Sequence, residues 1–187
     1  MKVLFLTPQV PYPPQQGAAL RNWGLISGLA NRHEVAVLSF RASGQPPEPP
    51  DLLRTVCRTE TVPLPVRALR DRLRVMLTTR QADMALRLAS ETYAQRLVEW
   101  LAREYFDVVH VGGIEMAPYL GVIEATRPRP LIVFDNLNCE YLLQQRAFLT
   151  DLRVPGRWPG AVYSLVQWLS LIHISEPTRP SKSSRMP

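Results

Sequence analysis

Lysine is almost missing from this chain. Of its 22 basic residues only Lys2 and Lys182 are lysines, and the rest are arginines. The net charge is +6, but no arginine run is interleaved with aromatics as a base-stacking platform requires, which argues against a nucleic-acid partner. Arginine usage together with 18 prolines fits a GC-rich coding sequence better. Only two cysteines occur, Cys57 and Cys139, too few and too far apart for a metal-ligand spacing. They are expected as reduced thiols in a cytosolic protein. No run approaches the roughly 20 apolar residues that span a bilayer, and the opening apolar run stops at Pro8, too short for a signal peptide. The expectation is a soluble, cytoplasmic protein. There is no G-x-G-x-x-G, which disfavours a nicotinamide dinucleotide fold, and no G-x-x-x-x-G-K-[ST], which excludes a P-loop.

With 187 residues the chain has room for one domain, or for one domain and a tail, and should bury roughly 70% of its unfolded surface. Short apolar runs alternate with helical patterns. Strands are expected at Lys2 to Thr7, His33 to Phe40, Thr59 to Leu64, Asp107 to Val111 and Leu131 to Phe134. Helices are expected at about Ala18–Ala30, Asp51–Cys57, Pro65–Thr79, Glu91–Glu104, from Gly113 to Ala125, and Cys139–Leu149. Another follows Pro155-Gly156 and carries Trp158, Tyr163 and Trp168, whose aromatic surface would be left partly bare in a lone domain. This order predicts an α/β, Rossmann-like doubly wound, mostly parallel sheet with helices on both faces. The ordered domain is expected over residues 1–170. Residues 171–187 lack an apolar period and are expected to be disordered. Ile172 to Pro180 also resembles the translated read-through of a sequencing adapter, so the tail is read as non-native, an ordinary flexible C-terminus being the alternative, and is excluded from functional assignment.

Parallel strands place three loops on their carboxyl edge: Pro8 to Gly17, Gly112 to Glu115, and Asp135 to Glu140. Open α/β sheets bind ligands at that edge, where the strand order reverses. Gly17 opens the first helix, whose free N–H groups can hold a phosphate, although a helix-opening glycine also occurs in an ordinary turn. His110, near the end of its strand, is either a functional imidazole or a satisfied edge histidine. Asp135, Asn138 and Glu140 could bind sugar hydroxyls, or Asp135 and Asn138 could cap the next helix. Gly112, Gly113 and Glu115 could equally form a helix start with Glu115 in its first turn. Arg67, Arg70, Arg72, Arg74 and Arg80 read as a solvated basic helix face, or as a contact with an anionic membrane.

Five of these segments together resemble the N-terminal domain of family 4 glycosyltransferases of the GT-B fold. They are the strand Val3-Leu-Phe-Leu-Thr7; the loop Pro11-Tyr-Pro-Pro14 with Gly17; His33-Glu-Val-Ala-Val37; Asp107-Val-Val-His110; and Asp135-Asn-Leu-Asn-Cys-Glu-Tyr141. The likeness covers residues 1 to about 169. It implies one half of a two-lobed retaining glycosyltransferase that moves a sugar from a nucleotide-sugar donor to a glycan or lipid-linked acceptor in polysaccharide assembly. No metal and no cofactor beyond the donor are implied. Gly17 and Ala18 would lie near the donor diphosphate. His110, Gly112, Glu115, Asp135, Asn138 and Glu140 would line the acceptor side, possible contact with the inner membrane face being peripheral. Departures are visible: the family's Gly-Gly is Gly17-Ala18, a second histidine is Gly112, and the histidine of D-x-H-N-x-E is Leu137. The donor-binding lobe would be the missing partner, which predicts an inactive fragment whose catalytic residues are unknown. The alternative is a non-catalytic α/β module binding a small anionic ligand. A flavodoxin-like domain is disfavoured, since Thr7 to Pro14 holds no acidic cluster.

Overall fold

In a computed structural model, the described residues are 1–66, 83–136, 139–154 and 156–175. They form five strands, β1 (Lys2–Thr7), β2 (Glu34–Arg41), β3 (Arg58–Pro63), β4 (Val108–Gly112) and β5 (Leu131–Asp135). The helices are α1 (Gly17–Ala30), α2 (Asp51–Val56), α3 (Asp83–Leu86), α4 (Glu91–Arg103), α5 (Leu120–Ala125), α6 (Glu140–Asp151) and α7 (Trp158–Ser175). A 3-10 helix, Ile114–Tyr119, precedes α5. The sheet is five-stranded in the order β3-β2-β1-β4-β5, and every pair is parallel. The expected α/β doubly wound architecture is therefore present.

The central strands are apolar on both faces because helices cover both sides. In β1, Val3 and Phe5 join Ile26 of α1, Val35 and Val37 of β2, and Leu53 of α2. Leu4 and Leu6 point the other way, into a larger core with Leu38, Phe40, Val109, Val111, Tyr93, Leu97, Met116 and Ile123. Tyr93 is fully buried there, stacks on Phe40 at 4.4 Å and donates its hydroxyl to the Leu38 carbonyl at 2.7 Å. The Ser90 hydroxyl caps α4 by accepting from the Tyr93 amide. At the amino-terminal edge Lys2 bridges Glu34 at 2.9 Å and Glu104 at 2.6 Å, tying β1 to β2 and to the end of α4.

Two local expectations change, and others fall outside the described residues. The single helix expected up to Ala125 is split: Gly113 at φ 96° turns the chain sharply, and Pro118 has no N–H to give, so a 3-10 segment precedes α5. The chain is helical five residues beyond the expected domain end at 170, because α7 continues to Ser175 and buries Leu171 completely against Ala85 and Ile114. The helix expected over 65–79 and its five arginines lie, but for its first two residues, outside the described residues, as do Asn138 and residues 176–187. α6 and α7 pack on one another, with Phe148 6.1 Å from Trp168, and leave Trp158 63% exposed. β5, at the sheet edge, leaves Leu131, Val133 and Phe134 exposed. No helix of the described residues is long and apolar enough to cross a membrane.

Candidate functional site

The strand order reverses between β1 and β4, since β2 and β3 lie to one side of β1 and β4 and β5 to the other. The loops leaving β1 and β4 must diverge there, and a crevice opens at their carboxyl ends. α1 begins over this point. Its N-cap residue Gln16 makes no side-chain capping bond, and its first turn contains no acid. Among the described residues, the first-turn N–H groups and the positive end of the helix dipole thus have neither a side-chain cap from Gln16 nor an acid in the same turn. Gly17 itself has ordinary negative-φ geometry, and a Cβ built there meets nothing within 4 Å. Neither the backbone nor packing demands glycine at this place, so its effect is to leave the helix end bare. Ala18 beside it is half-buried.

One turn into α1, Arg21 reaches across to β5 and grips Asp135 with two bonds, Nε to Oδ2 at 3.0 Å and a terminal nitrogen to Oδ1 at 2.9 Å. The fork geometry matches a carboxylate and fixes both side chains. His110 Nε2 stands 3.5 Å from the same Oδ2, and the imidazole lies against Phe5, ring centres 4.6 Å apart. Burial pushes the His110 pKa below the usual histidine value; Asp135 partly opposes this and Arg21 adds to it. The imidazole is therefore neutral at pH 7, and its Nδ1 is buried without a partner. The nitrogen turned away from Asp135 is enclosed rather than open to solvent. The geometry makes it a wall of the crevice and a neighbour of the Arg21–Asp135 pair.

Asn22, the next residue of α1, is 0% exposed, and neither its Oδ1 nor its Nδ2 has a hydrogen-bond partner. Thr7 at the end of β1 is equally buried, with an unpartnered Oγ1. Both belong to the α1 side of the sheet, Thr7 by alternation with Val3 and Phe5. Gly112 is buried beneath Asn22: a Cβ there would stand 3.3 Å from the Leu6 carbonyl and 3.7 Å from both amide atoms. Any side chain at position 112 would crowd the Leu6 carbonyl. Gly112 packs two strands and a helix together instead of exposing a surface. Unpartnered buried polar groups are rare in folded proteins and call for a reason. Here three of them, on Thr7, Asn22 and His110, gather where the fold places its crevice.

Three sequence-derived candidates remain, Glu115, Glu140 and Asn138. Glu115 is half-buried in the 3-10 helix and pairs with Arg87 at 3.3 Å. Glu140 is the first residue of α6 and half-buried, past the end of β5. Asn138 lies outside the described residues. The structure thus brings His110 and Asp135 into contact under α1, places Gly17 at the start of that helix, and keeps Glu115 in a separate ion pair. Thr7, Arg21 and Asn22 were missed. Asn22 left a trace, for it interrupts the apolar stripe Ala19–Asn22–Ile26. Among the described residues no three of His, Cys, Asp and Glu cluster as a cation would need. No family model, no curated protein and no solved structure matches this chain.

Proposed function

We propose that this domain is the acceptor-side lobe of a retaining, GT-B-type glycosyltransferase, working with a nucleotide-sugar donor at the carboxyl edge of its sheet. The observation that carries the reading is the bare N-terminus of α1 beside unpartnered, buried Thr7 and Asn22 at the switch point. An uncapped 14-residue helix with no acid in its first turn attracts a phosphate. The sequence resemblance puts a donor diphosphate at that position. The lobe supplies binding and orientation: Arg21 is neutralised by Asp135, and His110 is neutral, so no charged acid or base faces the crevice from this trio. Charge stabilisation of a departing diphosphate needs preorganised donors, and among the described residues at this crevice the helix end is the donor left free.

The test is amide NMR of the chain titrated with UDP and GDP at millimolar concentration. Shifts confined to residues 17–22 and neighbouring Thr7 are expected. Amides of that turn unmoved by either nucleotide would overturn the reading. Inorganic phosphate moving them as far as the nucleotides do would favour a simple anion-binding module. Released nucleotide from a UDP- or GDP-sugar is expected to be undetectable with this chain alone, by coupled assay.

A further inference from the structure

β5 ends the sheet on the side away from β3, and among the described strands it pairs only with β4. The bonds to β4 fix which of its backbone groups face outward. The Leu131 amide donates to the Asp107 carbonyl at 2.9 Å, and the Asp135 carbonyl accepts from the Gly113 amide at 2.8 Å. Successive residues of a strand aim these groups to opposite sides. Leu131, Val133 and Asp135 therefore serve β4, and Ile132 and Phe134 each direct an N–H and a C=O to the outer edge. Natural sheets guard such an edge with lysine, proline, a bulge, a free charge or a covering element. The sequence of β5 is Leu-Ile-Val-Phe-Asp, its register with β4 is one-to-one throughout, and its one charge, Asp135, is held by Arg21. Nor is it covered, since Leu131 is 65% exposed and Val133 and Phe134 are 40% exposed each.

We infer that β5 pairs with β5 of a second copy of this chain, antiparallel about a twofold axis at Val133, so that two five-stranded sheets join into one. Outward-facing groups can bond only to outward-facing groups, which leaves few registers. With Ile132 opposite Phe134 of the second copy, both N–H···O=C bonds form in each of the two symmetry-related pairs. A step toward the amino end sets Phe134 against Pro130, which has no N–H to give, and a step toward the carboxyl end sets Ile132 against Asn136, beyond the strand. The same register sorts the side chains by face. Ile132 packs on the larger core beside its register partner Val109, so Ile132 and Phe134 of the two copies meet on that side. On the α1 side Val133 meets its own copy. Charge chooses the direction. Arg127 and Arg129 precede β5 and Asp135 ends it, so a parallel pair would set arginines beside arginines, and an antiparallel one sets them near the acidic end of the second copy. The contact uses the same patch on both chains, so it closes at a dimer. The carboxyl edges of the two sheets then point in opposite directions, and neither crevice blocks the other. Nothing in this pairing depends on a sugar or a nucleotide.

Sedimentation velocity of the whole chain from about 10 to about 500 μM tests this, an edge contact of this length belonging to the weak, concentration-dependent class of interfaces. A reversible equilibrium between monomer and dimer is expected. Val133→Lys and Val133→Glu each set like charges face to face on the axis, and each should weaken the dimer about tenfold or more. An equimolar mixture of the two variants should recover it, because lysine then faces glutamate. A variant that had lost its fold could not be rescued in this way, and circular dichroism checks each one alone. A chain that stays monomeric to about 500 μM overturns the inference. So does a dimer indifferent to both charges, which would place the contact elsewhere, as on the exposed Trp158 and Val162 of α7. Variants that dissociate and do not re-associate when mixed overturn the axis at Val133, and assemblies larger than a dimer overturn the twofold closure.

Discussion

Replacing Asn22 by leucine should make this protein more stable. The side chain is 0% exposed, and both polar atoms of its amide lack partners, so folding strips their water without return. Mutational data put such a loss at about 1–3 kcal/mol. Leucine has the same branching and adds only apolar contact with the Ala19 and Ile26 stripe. Its bulkier methyls approach Gly112, where both amide atoms already lie 3.7 Å from a Cβ built on that glycine, and overpacking takes back about 1 kcal/mol. A net gain of about 1 kcal/mol remains, or about 2–4 °C in Tm for a domain of this size. Urea unfolding followed by circular dichroism should show a higher midpoint at unchanged slope. The UDP-induced shifts at residues 17–22 should shrink at the same time, the usual exchange of stability against function. A variant that loses 1 kcal/mol or more would refute the reasoning, since the amide would then be satisfied in the folded protein.

Gly17→Ala should leave stability unchanged or raise it by up to about 1 kcal/mol, because nothing crowds a Cβ there, yet weaken UDP binding measured by NMR. Gly112→Ala should cost about 1–3 kcal/mol in urea unfolding, the Cβ meeting the Leu6 carbonyl of the adjoining strand at 3.3 Å. The His110 pKa is lowered in the fold, so the unfolded chain binds the proton first as pH falls below about 6.5. Stability should therefore decline from there down to the folded value, and His110→Phe should flatten that part of the stability–pH curve. Asp135→Asn removes the charge that opposes the effect of burial, so its decline should extend to lower pH.

Local pattern carried much of the architecture. Val3 to Leu6, Val35 to Leu38 and Val108 to Val111 are short, mostly apolar runs between loop signals, and each lies in a strand of the sheet. Such runs, spaced by helical periods, allow little except a parallel sheet, and that in turn places the loops after β1, β4 and β5 on one edge. The partition within that edge was not legible. Arg21 and Asp135 are 114 positions apart, and they meet only because β4 inserts next to β1 and carries β5 beyond it.

The amino-acid sequence by itself determined which segments are strands and helices and which loops share the ligand-binding edge, because alternation, periodicity and chain punctuation are local properties. Tertiary structure alone decided that His110 is walled in against Phe5 and Asp135, and that Asn22 and Thr7 are buried unpaired. Those facts depend on strand order and on which face of each strand meets α1, and neighbouring residues along the chain carry no record of either.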